Sequence, residues 1–431
     1  MAPAPQAGRS RIRYKVLAFG VCLAAITYLD RVCISITAGG IMRDLGLTRI
    51  QMSLVFSAFT LAYAIFEIPT GWWGDRIGTR RVLTRIVVWW SAFTMLTAAA
   101  FSYGSLLAVR FLFGAGEAGA WPNAAKTFSR WFPVTERGTA QGVFFMGAHL
   151  SGGLTPLLVT AMLVYMPWRM VFVIFGAIGF VWAAAWYAWF RDDPSEHRSV
   201  SESELRHICE NRGVERGQAS GGVPWLRLFA DRRLIALYLS YFTQAHVFYF
   251  YITWLPTYLE KVRGLSALSL GVFSGLPLTL SVLGDLFGGL ATDKVTRRFG
   301  LRAGRCGVGA AAFVAAGCAM IAGTAAHHPV VSACCLALAL TASNLSLGPS
   351  WATTMDIGGK HAGVVSACMN TAGQIGGVLS PIVLALVVER FGNWNAPLYS
   401  YGVLYFAGAC CWWFVDPGRR ISTAAVMERA G

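Results

Sequence analysis

The sequence has few charged residues for a chain of its length. Only 13% of its 431 residues are Asp, Glu, Lys or Arg, whereas 55% are hydrophobic, and the mean hydropathy is +0.53. A soluble protein of this size needs more polar side chains to cover its surface. The shortage of charge therefore excludes an ordinary soluble globular protein and favours a protein embedded in a membrane.

Motifs for metal binding and catalysis are also scarce. None of the ten cysteines lies in a C-x-x-C pair, and the seven histidines are scattered apart from His327 and His328. We therefore expect no metal site and no cofactor, and we expect the cysteines to be core side chains. The sequence contains neither G-x-S-x-G nor H-E-x-x-H, which argues against a polytopic membrane enzyme.

Long apolar runs fill most of the chain. A helix needs ~20 residues to cross about 30 Å of hydrocarbon, so the runs predict an all-α integral membrane protein with twelve transmembrane helices. The basic segment "APAPQAGRSRIRYK" is similar to the start of a signal peptide, but no clear cleavage site follows, so we expect a retained first span. The predicted spans are 15–38, 51–73, 82–101, 104–127, 138–162, 168–190, 232–258, 267–292, 302–325, 329–353, 361–386 and 396–415.

Basic residues are distributed unevenly between the connections. The net charge is +15, and 27 of the 36 Lys and Arg residues lie in the termini and the even-numbered connections or in the first four residues of the span that follows. This bias follows the positive-inside rule, so it predicts cytoplasmic termini rather than nucleic-acid binding. Short loops and the lack of a cleaved signal favour a bacterial inner membrane. The opposite connections hold Arg43, Arg49, Arg169, Lys261, Arg263 and Arg390.

One long polar segment divides the predicted spans six and six. We predict an N-terminal six-helix bundle at 1–190, a cytoplasmic linker at 191–231, and a C-terminal six-helix bundle with its tail at 232–431. Within the linker, Ser201 and Glu204 have the spacing of a capping box and predict a short helix.

The loops after the second span of each half repeat one pattern, "GWWGDRIGTRR" and "GGLATDKVTRR". Asp75 and Asp293 occupy the same place in it, 218 residues apart, which predicts parallel duplication of a six-helix unit. We expect each Asp to pair with a basic group or to cap a neighbouring helix. The alternative is an ordinary basic inside loop. The motif comprises Gly71, Asp75, Arg76, Gly78, Arg80, Arg81, Asp293 and Lys294.

Together, the duplicated loops and the twelve spans resemble the major facilitator superfamily. More narrowly, "TYLDR", "RFLFGAGEAGAWP", "WFPVTERGTAQG", "WLPTYL" and "DDPSEHRSVSESEL" resemble the anion:cation symporter family. That family includes bacterial sugar-acid and hexuronate permeases, sialin and the vesicular glutamate carriers. The resemblance implies two six-helix bundles and transport of an organic anion, but it does not name the substrate.

Four charged residues lie well inside predicted spans 1 and 4, away from their ends. Each of Asp30, Arg31, Arg110 and Glu117 costs at least ~2.5 to 3.5 kcal/mol inside hydrocarbon, so we expect a function for them. The resemblance implies that Arg31 binds the substrate carboxylate and that Asp30 and Glu117 take up protons. Arg110 is then expected to pair with Glu117 or Asp30 in one protonation state and to release it in another. The alternative is a static salt-bridge network between the two spans.

Neutral polar residues in the spans are candidates for substrate binding. Tyr28 and Tyr63 match tyrosines of the family pocket, and Asn370 matches its polar position in span 11. Glu67, His149 and Asp285 depart from the family pattern and are expected either to change the polarity of the site or to face a water-filled vestibule. The complete predicted substrate set is Tyr28, Arg31, Tyr63, His149, Gln244, Tyr249, Ser346, Asn370 and Gln374.

The segment "GAGEAG" at 114–119 also fits a dinucleotide-binding G-x-G-x-x-G. That fingerprint needs a preceding strand in a soluble unit, whereas here a predicted transmembrane helix precedes it. We therefore interpret 104–127 as a helix thinned by glycine, with Glu117 near its middle.

The sequence as a whole predicts a monomeric, proton-coupled importer of a small organic anion that works by alternating access. Sodium coupling, anion exchange, a transporter-like sensor and a polytopic membrane enzyme remain as alternatives.

Overall fold

The apolar runs of the sequence form helices. The computed structural model describes residues 10–210, 223–265 and 267–421, and it contains no strand within those ranges. The predicted segments 1–9, 211–222 and 422–431, which belong to the N-terminus, linker and tail, lie outside the described residues, as does the side chain of Arg49.

Six spans precede the linker. Their bounds are Ile12–Leu45, Arg49–Ile77, Thr79–Ala98, Tyr103–Glu117 with Ala120–Trp131, Arg137–Tyr165 and Trp168–Trp189, numbered spans 1 to 6. Spans 1, 2, 4 and 5 are longer than predicted because they continue past the apolar runs, whereas spans 3 and 6 are not longer.

Six more spans follow the linker. With them the prediction of an all-helical protein with twelve spans is confirmed. Within the described residues, seven stretches are long and apolar enough to cross a membrane, judged by length and composition alone. Their bounds are Arg232–Thr253 with Leu255–Lys261, Ala267–Phe299, Ala303–Gly307 with Val308–Ala325, Pro329–Asn344 with Leu347–Gly358, Ala362–Phe391 and Asn395–Cys411, numbered spans 7 to 12.

The two halves meet mainly along two pairs of spans. Span 2 packs against span 11, and span 5 packs against span 8. The side of the bundle that holds Gly78, Glu136 and Gly359 also holds both ends of the described chain, and we call it the basic face. Each pair therefore contains one of the second spans, 2 or 8, that precede the duplicated loops.

Span 4 is not the continuous helix that the sequence predicted. Its first helix ends at Glu117, and Gly119 has a φ of +87°, which lies in the left-handed region that glycine adopts readily. A Cβ atom at Gly119 would lie 2.6 Å from the Thr70 side chain. Prediction of an uninterrupted span 104–127 was wrong because this glycine turns the backbone instead of merely thinning the helix. Gly114 and Gly116 do pack closely, against the backbone of Phe59 and the ring of Trp89.

Span 10 is interrupted at the corresponding place. Its first helix ends at Asn344 and its second begins at Leu347, so the fourth span of each half consists of two helices.

The linker helix Glu202–Glu210 is attached to span 1. Ser201 Oγ accepts a hydrogen bond from the Glu204 N–H at 3.3 Å, but the Glu204 carboxylate does not complete the predicted capping box. It accepts instead from the N–H of Ile12 at 3.0 Å and from Arg13 Nη1 at 2.9 Å. Burial raises the pKa of Glu204, but the hydrogen bonds from Ser10, Ile12 and Arg13 outweigh burial and lower it below the ordinary value.

Candidate functional site

A cavity of about 110 Å³ lies between the two halves at the middle of the bundle. Spans 1, 4 and 5 form one wall, and spans 7, 10 and 11 form the other. Seven of the nine predicted substrate residues line it, all except Tyr63 and Ser346. The lining comprises Tyr28, Arg31, Trp121, Phe145, His149, Tyr241, Gln244, Ala245, Phe248, Tyr249, Leu347, Trp351, Asn370, Gly373 and Gln374.

Arg31 is the cationic group of this cavity. Its Nε lies 2.5 Å from Glu117 Oε1, and its Nη2 is buried without a hydrogen-bond partner among the described residues. The guanidinium lies 4.8 Å from the ring centroid of Tyr63 and 5.9 Å from that of Tyr28. Tyr63 therefore contacts the Arg31 guanidinium without lining the cavity. Arg31 keeps a hydrogen-bond donor for an anion.

Asp30 and Arg110 lie behind this pair and are almost fully buried. Within the described chain, neither oxygen of Asp30 has a hydrogen-bond partner, and the same holds for Nε and Nη1 of Arg110. The Arg110 guanidinium instead lies 4.2 Å from the ring centroid of Phe113. The predicted contact of Arg110 with Glu117 or Asp30 is thus absent from this conformation, because Glu117, at the end of its helix, reaches span 1 and pairs with Arg31.

A polar network crosses from span 5 to the C-terminal half. His149 Nδ1 lies 2.5 Å from Asp285 Oδ2, and Asp285 Oδ1 accepts from Asn344 Nδ2 at 3.1 Å. Asn344 Oδ1 in turn accepts from Gln244 Nε2 at 3.3 Å. The network therefore connects two cavity-lining residues, His149 and Gln244, through one buried carboxylate.

A second buried carboxylate, on span 2 of the N-terminal half, accepts hydrogen bonds from span 11 of the C-terminal half. Glu67 Oε1 accepts from Asn370 Nδ2 at 2.5 Å, and Glu67 Oε2 accepts from Thr371 Oγ1 at 3.3 Å. Glu67 and Asp285 lie 218 residues apart, the same interval that separates Asp75 from Asp293. Both side chains are fully buried, so the two halves place a carboxylate at one equivalent position of the second span and direct it across the interface.

The remaining predicted residues contribute less to the cavity. Tyr249 Oη donates to Gln374 Oε1 at 3.4 Å, which joins spans 7 and 11. Ser346 Oγ donates to the Ser343 carbonyl at 2.7 Å and so satisfies the backbone where span 10 is interrupted.

Asp75 caps a helix of the other half at the basic face. It accepts from the N–H groups of Gly363 and Val364 at 3.0 and 2.8 Å, at the start of span 11, and it pairs with Lys126 at 3.2 Å. Gly71 permits this approach, since a Cβ atom there would lie 2.9 Å from the Gly363 carbonyl.

Asp293 makes the equivalent contacts in the reverse direction. It accepts from the N–H groups of Gly138 and Thr139 at 3.1 and 2.6 Å, at the start of span 5, and it pairs with Arg305 at 2.9 Å. Carboxylates at helix N-termini satisfy free N–H groups and interact favourably with the helix dipole. The duplicated loops therefore bind each half to the other at the basic face.

The other members of the loop motif stay on their own half or at the surface. Gly78 forms the turn between spans 2 and 3 with a φ of +90°. Arg76 lies over the Trp72 ring, and Arg80 Nε donates to the Tyr187 carbonyl at 2.9 Å. Arg81 and Lys294 are exposed.

Sequence reasoning missed a group of charges at the same face. Asp356 accepts from Arg137 at 2.6 Å and from Arg305 at 3.0 Å, so it joins span 5, span 9 and span 10. Lys126 Nζ donates to the Lys360 carbonyl at 2.5 Å. The available signal was an isolated Asp in an apolar run, whose partners are distant in sequence.

The aromatic walls of the cavity were also missed. Trp121 stacks on Phe145 with centroids 5.3 Å apart, and Phe145 contacts Trp351 of the other half at 5.6 Å. Trp351 Nε1 donates to Tyr241 Oη at 3.2 Å. No sequence signal distinguishes these rings from the many others in the spans.

Comparisons with known proteins agree with this architecture. A sequence model described as Major Facilitator Superfamily matches residues 20–381. The chain is 36% identical over 427 residues to the probable sulfoacetate transporter of Cupriavidus necator, covering 98% of each chain. It is 30% identical over 421 residues to the probable galactarate/D-glucarate transporter of Bacillus subtilis, covering 94% of this chain and 90% of the relative.

Among solved structures, the fold is similar to that of the proton:xylose symporter XylE. The TM-score is 0.75 at 14% identity, and the match covers 93% of this chain and 95% of that chain. At this identity the likeness concerns the fold alone.

Proposed function

Because the chain belongs to the major facilitator superfamily, we propose that it imports a small organic anion together with protons by alternating access. It is a membrane transporter rather than an enzyme, and its relatives are named as transporters of organic anions. A bacterial inner membrane, with the basic face in the cytoplasm, is the proposed setting. In it the chain acts as a monomer, made of the two bundles and the linker that the sequence predicts.

The observation that carries this proposal is the position of Arg31. It is the one Lys or Arg residue in the described lining of the cavity, and its Nη2 has no partner among the described residues. A guanidinium can bind a carboxylate or sulfonate through parallel hydrogen bonds, and a buried one needs such a counter-ion. Gln244, Asn370 and Gln374 then supply neutral donors and acceptors.

The size and walls of the cavity favour a compact substrate. A cavity water needs about 10–15 Å³ by the same measure, so about 110 Å³ corresponds to a ligand of few heavy atoms. The walls combine aromatic rings with polar side chains, so it is the small volume rather than the polarity of the walls that disfavours a larger sugar acid. We therefore favour a short organic acid over a hexuronate, in keeping with the name of the relative that is 36% identical.

Glu117 provides the coupling to protons. It occupies the Nε of Arg31 in this structure, so a substrate anion and the Glu117 carboxylate compete for one cation. A proton on Glu117 releases Arg31 to the substrate. Asp30, buried and without a hydrogen-bond donor among the described residues, is the second proposed proton site, because an unpaired buried charge is costly.

The contacts at the basic face define the conformation in the transport cycle. Asp75, Asp293 and the pair Arg137 with Asp356 join the halves there. Release of the substrate to the cytoplasm requires these contacts to break, after which the halves rock about the cavity. The structure is therefore assigned to a state closed toward the cytoplasm.

Uptake into proteoliposomes tests the proposal. We expect radiolabelled sulfoacetate or another two- to four-carbon acid to accumulate when an inward proton gradient is imposed. A monoanion that enters with two protons carries one net positive charge, so 100 mV adds about 2.3 kcal/mol of driving force, whereas a dianion such as sulfoacetate with two protons carries no net charge. Uptake that depends on sodium would identify sodium-coupled transport, and uptake that occurs only in exchange for internal anion would identify an exchanger. Either result would contradict proton coupling. Binding without uptake would identify a sensor.

A further inference from the structure

Three features remain after the transport cycle is described. They are the Glu67 contact with Asn370, the apolar grooves on the outer surface, and the His149 pair with Asp285. The grooves face the surroundings of the spans and show nothing of what covers them. Glu67 is fully buried and does not line the cavity, whereas His149 does.

We propose that His149, held by Asp285, is a second anion-binding group, and that the transported substrate is a compact dianion bound between Arg31 and His149. The inference rests on the proposed function, because it names the substrate class of the same cavity. It does not follow from that function, since a monoanion would need only Arg31.

The orientation of His149 supports this role. Its Nδ1 is taken by Asp285 Oδ2 at 2.5 Å, so Nε2 is the ring nitrogen left for the cavity that the residue lines. A carboxylate on one imidazole nitrogen fixes the tautomer and makes the other nitrogen more basic. The imidazolium form then donates Nε2–H to an anion.

The positions of the two cationic groups suit a short molecule. Both groups lie close to the same ring, since the Tyr28 centroid is 5.9 Å from the Arg31 guanidinium carbon and 5.8 Å from the His149 ring centroid. Both groups line one cavity of about 110 Å³. Acid groups separated by one or two carbon atoms fit this arrangement, whereas a long diacid does not.

The charge balance of the site explains why a proton accompanies the second acid group. Arg31, Glu117 and Asp285 carry one positive and two negative charges while His149 is neutral. An extra substrate charge without compensation would be costly in a buried site. A proton on His149 keeps the total charge unchanged, so a dianion brings one proton more than a monoanion.

No other charge adjoins His149 among the described contacts. The groups next to His149 are Asp285 of span 8, the phenol ring of Tyr28 in span 1, and the rings of Phe145 and Phe248 in spans 5 and 7. Asp285 is in turn held by Asn344. Binding that depends on pH in the range where histidine titrates is therefore assigned to His149 together with Asp285.

The test compares two ligands that differ in one charge. Sulfoacetate has a sulfonate and a carboxylate, whereas methylsulfonylacetate has a neutral sulfone of nearly the same shape in place of the sulfonate. Binding to the purified full chain in nanodiscs is followed by tryptophan fluorescence, since Trp121 and Trp351 line the cavity. For the wild type we expect sulfoacetate to bind at least about 10-fold more tightly at pH 6, the effect of one charged hydrogen bond.

The variants are His149→Gln, which keeps a donor but no charge, and His246→Gln, the same replacement at a buried histidine that does not line the cavity. We expect His149→Gln to bind both ligands within about two-fold of each other, and His246→Gln to keep the wild-type ratio. Retained binding of methylsulfonylacetate shows that His149→Gln is folded. An affinity ratio in His149→Gln that equals the wild-type ratio overturns the inference. So does wild-type protein that binds sulfoacetate and methylsulfonylacetate equally tightly.

Proton uptake on binding gives a second measurement. In weakly buffered solution with a pH indicator, wild-type protein should take up one more proton with sulfoacetate than with methylsulfonylacetate, and His149→Gln should take up equal numbers. Equal numbers in the wild type contradict the inference. If proteoliposomes accumulate the monoanion and do not prefer sulfoacetate, the dianion inference is refuted and the proposed function stands. If they take up no organic acid, both the inference and the proposed function are refuted.

Discussion

The two halves of the molecule share one scaffold but differ in chemistry at the same depth. In both, an Asp in the loop after the second span caps a helix of the other half, and the fourth span is interrupted. At the interruption of span 4 lies Glu117, paired with Arg31, whereas the equivalent place in span 10 holds Asn344. Duplication has kept the contacts that close the basic face and has allowed the cavity walls to diverge.

This difference separates two tasks. The N-terminal half supplies the charged groups of the site, because Asp30, Arg31, Arg110 and Glu117 all lie in spans 1 and 4. The C-terminal half presents amides and aromatic rings, and its one buried carboxylate at this depth, among the described residues, is Asp285. An anion held by one half and contacted by neutral groups of the other can stay bound while the halves rock.

Loss of Arg31 should have the largest effect. We expect Arg31→Ala to lower substrate uptake at least about 100-fold, because it removes the cation and leaves Glu117 buried without its partner. Arg31→Lys retains a charge but not the planar fork, and should fold while binding more weakly. Uptake and size-exclusion profiles check both, with the exposed Arg81→Ala as control. Uptake above half of wild type in Arg31→Ala would remove Arg31 from the site.

Replacement of Glu117 should uncouple transport without stopping it. Glu117→Gln removes the competitor for Arg31 and the proton site, so we expect proton-driven accumulation to vanish while exchange of internal for external substrate stays within about three-fold. Counterflow and gradient-driven uptake in the same vesicles separate these properties. If the pair is a static salt bridge, the variant should instead fail to fold.

Removal of either helix cap should have similar, intermediate effects. We expect Asp75→Asn and Asp293→Asn each to slow uptake up to about 10-fold, since each weakens the closure of the basic face by roughly 1–2 kcal/mol. Hydrogen exchange should rise at 359–366 in the first variant and at 134–141 in the second. Lys294→Gln, at an exposed site in the same loop, is the control. An effect confined to one variant would show that closure is not shared equally.

The smallest effect should come from the linker. Glu204→Gln weakens the cap of span 1, and we expect the melting temperature to fall by roughly 2 °C. Since the folded-state pKa of Glu204 is lowered, its contribution is present above the unfolded pKa and is lost as the pH falls through the folded value. Thermal melts at pH 7 and pH 4 measure this, with the exposed neighbour Glu202→Gln as control. A difference between the variants that is larger at pH 4 than at pH 7 would contradict it.

Hydropathy was sufficient to predict the twelve spans, because it acts over whole segments, and the repeated loop motif predicted the duplication. Arg31 was identified because a buried charge is costly wherever it occurs. The interruption at Gly119 escaped prediction, since the same glycines also fit a thin continuous helix.

Pairing between distant residues could not be read from the sequence. Arg110 was expected to pair with Glu117 or Asp30 in one protonation state, whereas in this structure Glu117 pairs with Arg31 of span 1. Asp356 joins Arg137 and Arg305, which lie 219 and 51 residues away. The one usable signal was the repeated interval of 218 residues, which also relates Glu67 to Asp285.

The attachment of the linker helix to span 1 offers a ruler for the transport cycle. Glu204 binds the start of span 1, and His207 contacts Glu136 at 3.0 Å, so this short helix moves as part of the N-terminal half. Cys209 lies on it and is exposed, as is Cys410 near the end of span 12. Spin labels on these two native thiols, with the other exposed cysteines replaced, would measure how far the halves separate during turnover.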